Sequence, residues 1–432
     1  MNINQDELPP FPEQYDDIPE VLVVGGWVRD WFREGVTPTD VDIMVAGVSE
    51  QHMKDRNFKP VNSANNDTFG VFLDRFGREV ALAREEVSTG SGHRDFDVEP
   101  VSTDVPPRKA IERDLQRRDF TVNSIAFDRD GYLWDLHNGV SDLDEGILRA
   151  VDESAFVHDP LRILRGARFA ARLDAEIAPD TLDLMEEMTP ALTTLPQERV
   201  RKELEKVLKQ TNEPSRFFYV LDDVGALELT FPELNELKRV PAGPEQYHAE
   251  GSAFRHTMMV LDEAVALRAM DGEFIGLMAL SHDLGKGVTD SDDLPHHPAH
   301  GKAGLPIIED MAERLSMSNG QEKVMKDAAR WHMSVGQVDN LRESTVINLL
   351  NEVRDPSRLV TLCKADALGR RPRGDFEQAD AFARFADASQ AISEWHGGRL
   401  IEEGYDPDEM GGKEFGNLLH QKRVERMREL EE

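Results

Sequence analysis

The sequence predicts a small α/β head followed by a long, almost wholly helical body. Three observations predict it. Short β-branched runs alternate with helical signals between residues 21 and 150. From residue 151 onward, apolar residues recur at three- and four-residue spacing, the period of a helix with one buried face. Pro and Gly punctuate those periodic stretches, and no internal repeat or low-complexity tract interrupts them.

The elements follow in order. Val21–Val24 is an apolar run ending in Gly25-Gly26, and Trp27–Glu34 has helical spacing. Val41–Val45, Gly70–Leu73 and Glu79–Ala83 have strand character. Ser88–Pro107 holds Gly, Ser, Asp and Pro with little periodicity, which predicts a mobile loop. Arg108–Leu115 predicts a helix; Ile125–Asp128 and Leu133–Asp135 predict a hairpin about Asp130-Gly131. Helices are predicted over Leu161–Leu173, Pro179–Met188, Pro196–Lys209 and Ser215–Val224, followed by a His-bearing helical region from Gly243 to about residue 355 and a helical tail.

Composition sets the bounds. The chain has 432 residues, 39% hydrophobic, with a mean hydropathy of -0.51, enough for several domains around a sizeable core. No run of about 18 apolar residues predicts a membrane span. Residues 1–20 are acidic and proline-rich, without the basic and apolar parts of a signal peptide, which predicts a disordered lead-in and a cytoplasmic location. The single cysteine, Cys363, excludes an intramolecular disulfide and a Cys-based zinc site. The net charge of -33 is spread along the whole chain, and the basic residues favour Arg. That pattern suits a halophilic protein, and it leaves any nucleic-acid contact to local basic segments. Arg108–Arg118, Arg199–Lys209 and Lys364–Arg373 are the candidates.

The chemistry begins at Asp40 and Asp42. On a strand, residues two apart share a face, and two adjacent carboxylates repel unless a cation lies between them. Such a pair suits a divalent metal that activates a hydroxyl and stabilises a transferring phosphoryl group. A lone Asp-x-Asp is also common in solvated turns. What strengthens it is the preceding turn: Gly25 and Gly26 permit close backbone approach, and a helix N-terminus with Arg29 attracts phosphate. Glu79 is a possible third carboxylate, or simply an exposed strand residue.

These residues bring a family into view. Val23–Gly47 (VVGGWVRDWFREGVTPTDVDIMVAG) resembles the signature of the class II tRNA nucleotidyltransferase and poly(A) polymerase family. So do Arg117–Asp128 (RRDFTVNSIAFD), Asp135–Leu143 (DLHNGVSDL) and Asp159–Leu173 (DPLRILRGARFAARL). Leu195–Leu208 is similar to the later helical motif. The resemblance implies a polymerase-β-like nucleotidyltransferase head with a mixed sheet, then an all-α neck, a body and a helical tail. It implies that Gly25, Gly26, Arg29 and Arg118 bind nucleotide and that Asp40 and Asp42 bind catalytic Mg²⁺. It implies that Asp159 and Arg162 pair with the base edge of CTP or ATP, and that Arg165 and Arg168 complete the pocket. Their three-residue spacing independently makes a slowly turning stripe on one helix; a salt-bridged face has the same spacing. Asp accepts and Arg donates, as base-edge pairing requires. The family commonly has Glu before this Asp, whereas this chain has His158.

A second constellation resembles the HD phosphohydrolase pattern: His256, His282-Asp283 and Asp366, with His300 and His332 as possible additions. Imidazole with carboxylate suits a divalent transition metal, such as Ni²⁺ or Mn²⁺, or Mg²⁺. A degenerate fold kept as a scaffold for tRNA is the alternative. His296 and His297 lie in a Pro-rich loop and are expected in solvent.

The resulting expectation has five parts: a disordered extension (1–20), a nucleotidyltransferase head (21–150), a helical neck (151–242), an HD domain (243–355) and a helical tail (356–432). The expected function is template-independent addition of CCA to a tRNA 3′ end from CTP and ATP, with phosphatase or cyclic phosphodiesterase activity at the HD site implied by the resemblance. A poly(A) polymerase, a partial CC- or A-adding enzyme, and an HD phosphohydrolase with an inactive head are the alternatives. A pure RNA-binding module leaves the metal-ligand residues without purpose. Monomer and homodimer stay open.

Overall fold

The structure, a computed structural model, describes residues 3–35, 38, 40–61, 70–88, 96–267 and 272–431. The chain forms two compact units, Met1–Thr193 and Thr194–Glu432.

The first unit is built on a mixed sheet. Its strands are β1 (Glu20–Val24), β2 (Ile43–Ala46), β3 (Lys59–Pro60), β4 (Val71–Leu73) and β5 (Glu79–Leu82). A separate antiparallel hairpin follows, β6 (Arg84–Ser88) and β7 (Phe96–Pro100), before β8 (Ile125–Asp128) and β9 (Leu133–Asp135). The sheet order is β3-β4-β5-β2-β1-β8-β9. Only β2 and β5 pair in parallel among these strands.

Pleating explains why the central strands are apolar on both sides. Val21, Ile43, Val45, Val80 and Leu82 face one core with Met53, Phe58 and Phe72. Leu22, Val24, Met44 and Ala126 face another with Ile111 and Leu115, which belong to the helix Pro107–Gln116. The helix Leu161–Leu173 lies in this same unit and buries Ile163, Leu164, Ala167 and Ala170.

Three expectations change. The lead-in is folded: Ile3, Leu8, Tyr15 and Ile18 are buried in the sheet's cores. Arg129 fastens it by donating to the carbonyls of Tyr15 (3.1 Å) and Ile18 (2.8 Å). Its acidic composition hid a few well-spaced apolar anchors. The stretch expected as a loop contains β7, whose pairing with β6 is a long-range choice that local composition does not signal. Residues 89–95 of that stretch lie outside the described residues. The neck expected at 151–242 is divided between the two units. Its helix Leu161–Leu173 is tied to the head by Arg172–Asp30 (2.9 Å) and Arg165–Asp119 (2.7 Å between Nε and Oδ2).

Every regular element among the second unit's described residues is a helix. Ala253–Ala266, Gly272–Ser281, His300–Arg314, Asn319–Val335 and Pro356–Leu368 surround a buried polar centre. The last of these belongs to that packing by virtue of Leu359, Leu362 and Asp366, though it had been expected in the tail. Gln378–Glu394 and Gly412–Glu431 pack together nearer the C-terminus. No helix among the described residues is long and apolar enough to cross a membrane.

Candidate functional sites

Strand direction gathers the first site. β1 ends, and β2, β5 and β8 begin, at one end of the sheet, because β1 runs against β2 and β8 while β2 and β5 run together. Asp42 immediately precedes β2 and Glu79 opens β5, and the register Ile43↔Val80 sets them side by side. The Asp42 carbonyl accepts from Val24 N–H (3.0 Å), and Gly25 N–H donates to the Ile125 carbonyl (3.2 Å). The strand expected from Val41 begins instead at Ile43, two residues later, so the Asp-x-Asp pair stands at its mouth and not within it.

Electrostatics identify a carboxylate cluster. The Asp42 carboxyl is raised above its ordinary value, by the protein crowded beneath it first and by the charges of Asp40 and Glu79 next; Arg118 and Arg29 oppose the shift. Its tip remains open to solvent. A cation would relieve the repulsion directly.

Gly25 makes the turn. Its φ of 62° is left-handed, and a Cβ there would sit 3.0 Å from an Arg118 guanidinium nitrogen. The nine-residue helix Gly26–Glu34 starts next, with no side chain capping its N-terminus. Arg29, on its first turn, is buried: it donates to Asn123 Oδ1 (2.6 Å), pairs with Asp30 (2.8 Å) and lies over Phe169. It braces the turn against the Thr121–Asn123 segment before β8 and the helix Leu161–Leu173. Arg118 donates to the Asn123 carbonyl (3.1 Å) and pairs with Asp114 (3.0 Å). Asp114 also accepts from Arg117 (2.7 Å) and from Arg84 N–H (3.0 Å); burial opposes its charge, but the two guanidiniums hold its carboxyl well below the usual range.

Each arginine of the stripe meets a partner within the chain, though Arg162 NH1 is buried without an acceptor among the described residues. Asp159 Oδ1 accepts from Leu161 N–H (3.0 Å) at the start of its helix. Arg162 is buried and pairs with Glu86 (3.0 Å), which also meets His158 (2.6 Å). Arg165 pairs with Asp119, a buried carboxylate held down to about 2, against its burial, chiefly by Arg165. Arg168 is buried 4.0 Å over the Phe169 ring.

The second site surrounds Asp283. Its Oδ2 lies 3.2 Å from His282 Nε2 and 2.7 Å from Lys286 Nζ; its Oδ1 lies 3.2 Å from His300 Nε2 and 3.7 Å from His332 Nε2. His256 Nε2 lies 3.1 Å from Asp366 and 3.7 Å from Asp283. The Nδ1 atoms of His282, His300 and His332 face backbone carbonyls at 2.7 to 2.9 Å, which turns every Nε2 inward. This is the outer support that orients metal-ligating imidazoles. Gly285 permits the approach, since a Cβ there would collide with the His300 carbonyl.

The donors fit a divalent metal. His256–His282–Asp366 and Asp283–His300–His332 each bring ligand atoms within 4.8 Å of one another. His256 Nε2 and His282 Nε2 are buried without an aligned hydrogen-bond partner among the described residues. Burial opposes charge on Asp283, yet His282 and Lys286 hold its carboxyl well below the ordinary range; burial drives His332 down to about 4.

Several participants were missed in the sequence. Glu250 is buried and lies 3.0 Å from His256 Nδ1 and 2.7 Å from His248 Nδ1; its only signal was a His-x-Glu shortly before a candidate ligand. Glu86, Asp114 and Asp119 looked like ordinary charges. His297 is half-buried, between Thr289 (2.6 Å) and the Pro241 carbonyl (2.7 Å), contrary to the solvent position expected. The expected RNA-gripping segments are largely paired within the chain: Arg113 with Glu85, Arg117 and Arg118 with Asp114, Arg370 with Asp366, and Arg373 with Glu263.

Sheet and carboxylate cluster together define a nucleotidyltransferase head. Consistent with this, the family described as Poly A polymerase head domain matches residues 21–149. Residues 174–238 match the family described as probable RNA and SrmB-binding site of polymerase A. The chain belongs, more particularly, to the family of multifunctional CCA proteins. It is 41% identical over 360 residues to the Multifunctional CCA protein of Nitrosococcus oceani, covering 81% of this chain and 85% of that one. It is 38% identical over 417 residues to that of Xylella fastidiosa (strain M23), covering 93% and 95%. Among solved structures, a CCA-adding enzyme in complex with CTP matches with a TM-score of 0.64 at 20% identity, over 98% of this chain and 92% of that one. The Thermotoga maritima CCA-adding enzyme complexed with tRNA_CCA matches with a TM-score of 0.61 at 20% identity, over 97% and 92%. At that identity these two neighbours speak to the fold. The family is one of divalent-metal-dependent nucleotidyltransferases.

Proposed function

We propose that this enzyme adds CCA to the 3′ end of tRNA from CTP and ATP without a nucleic-acid template. The observation that carries the reading is the cluster of Asp40, Asp42 and Glu79 beside the Gly25 turn and Arg118. The RNA 3′ hydroxyl attacks the α-phosphate, one P–O bond forms, and the bond to pyrophosphate breaks. Asp40 and Asp42 would hold Mg²⁺, which when bound would supply charge neutralisation and acidify the attacking hydroxyl. The N–H groups of the Gly26 helix start and the Arg118 guanidinium receive the phosphates. Arg29 braces that turn from beneath. Asp159 accepts from the exocyclic amine shared by cytosine and adenine, and Arg162 donates to the adjacent ring nitrogen. Arg165 and Arg168 shape the wall behind them.

The test uses tRNA lacking its 3′ end, Mg²⁺ and single or paired nucleotides. Addition of C, C and A, and then arrest, is expected. Long A tails would instead make it a poly(A) polymerase; arrest after CC, or addition of A alone to a CC end, would make it a partial enzyme.

A second reading concerns the other unit. The buried Nε2 atoms of His256 and His282, each facing a carboxylate without an aligned hydrogen bond, support a divalent metal there, and a phosphomonoester or cyclic phosphodiester as substrate. Lys286 and Arg370 bring positive charge to the same centre. Hydrolysis of 2′,3′-cyclic nucleotides by metal-loaded protein, absent after chelation, is the expected result.

A further inference from the structure

We propose that Glu86 is a positioning residue for base selection: one carboxylate on β6 holds both Arg162 and His158, and so fixes the guanidinium that faces the incoming base. The proposal rests on the reading of Arg162 as the base-selecting donor.

The geometry carries it. Glu86 Oε1 accepts from an Arg162 terminal nitrogen at 3.0 Å, while Glu86 Oε2 lies 2.6 Å from His158 Nδ1. The same Arg162 nitrogen donates to the Arg117 carbonyl at 2.7 Å. Two acceptors on one nitrogen, from different segments, determine the plane of the guanidinium. Arg162 NH1 is buried and meets no acceptor among the described residues. A guanidinium with one end pinned and the other unpaired is a donor held for a partner.

Distance in sequence makes the arrangement specific. His158 lies in the turn before the helix Leu161–Leu173 and Arg162 in its first turn, four positions apart, whereas Glu86 arrives from a hairpin strand more than seventy residues upstream. Of the ionic groups on these residues, Glu86 alone is negative, and both basic groups converge on it. Arg has long rotatable stems, so a donor that must read one base edge gains accuracy when the protein fixes it beforehand. His158 occupies the second carboxylate oxygen and restrains the rotation of Glu86. The pair therefore acts through Arg162, without touching the nucleotide.

The test is nucleotide selectivity. Glu86→Gln keeps the shape but loses the charge that pairs with Arg162 and one of the two acceptor oxygens facing Arg162 and His158. Glu86→Asp keeps the charge but withdraws it by one methylene, beyond simultaneous reach of both partners. Both variants, with Arg162→Ala as control, are assayed for incorporation of CTP, ATP, UTP and GTP on the same shortened tRNA. Expected for both Glu86 variants is a rise in misincorporation of UTP and GTP on the order of tenfold, read mainly as altered nucleotide KM, with unfolding midpoints near wild type. A role in stability alone would lower the midpoint and leave the nucleotide ratios fixed. If Arg162→Ala changes selectivity and neither Glu86 variant does, the proposal is overturned. If Arg162→Ala leaves selectivity intact, the reading of Arg162 fails first, and this inference fails with it.

Discussion

Asp262 offers a prediction whose size can be worked out. It lies on the helix Ala253–Ala266 and receives both Ser215 N–H (3.0 Å) and Ser215 Oγ–H (2.6 Å) at the start of the helix Ser215–Asp223. Burial, reinforced by the charges of Glu213 and Glu263, pushes its carboxyl from 3.8 up to about 6 despite those bonds. In the unfolded chain it titrates near 4. Below that pH it is neutral in both states and costs nothing. Between pH 4 and 6 the unfolded chain ionises first, so the folded state loses stability as pH rises; above pH 6 the loss is complete. Two pH units correspond to about 3 kcal/mol. Asp262→Asn removes that cost and gives up roughly 1 kcal/mol of charge-assisted bonding. The variant should therefore be more stable than wild type by about 2 kcal/mol at pH 7.5, with the gain vanishing near pH 4. Paired urea unfolding of both proteins at pH 4, 5.5 and 7.5, at constant salt, measures the difference, in which all other titrating groups cancel. A variant that is destabilised at pH 7.5, or a difference flat with pH, would refute the reasoning.

Three further outcomes are expected. Gly25→Ala forces an alanine into a left-handed conformation and toward Arg118, costing about 1 to 2 kcal/mol of stability in thermal unfolding, and should weaken nucleotide binding in calorimetry. His282→Gln with Asp283→Asn should abolish retention of a divalent ion, read by plasma mass spectrometry after desalting, while nucleotide addition continues. The net charge of -33 should make stability rise with salt. The thermal midpoint should climb between 0.1 and 2 M KCl as screening shortens to about 3 Å; a flat or falling profile would remove the halophilic reading.

Much of this was legible in the sequence because local signals sufficed. Leu161–Leu173 and the hairpin about Gly131 are marked by apolar period and turn chemistry, and the structure has them at the expected residues. The clustering of Asp40 and Asp42 beside the Gly25 turn was legible because adjacent carboxylates and a left-handed backbone each call for particular residue types. What stayed hidden depends on tertiary pairing. Glu86, Asp114 and Asp119 are acidic residues in a chain full of them; their roles arise from which Arg each meets after folding. The buried lead-in was hidden because Ile3, Leu8, Tyr15 and Ile18 are too widely spaced to show a period, and only the finished sheet gives them a surface.

The central claim is nucleotidyl transfer at Asp40 and Asp42. Single-turnover extension of tRNA lacking its 3′ end, comparing wild type with Asp42→Asn at saturating CTP and ATP, tests it most directly. The account predicts CCA addition by wild type and a loss of at least a thousandfold in the variant, about 4 kcal/mol of transition-state stabilisation. Extension by Asp42→Asn at a rate near that of wild type would contradict it.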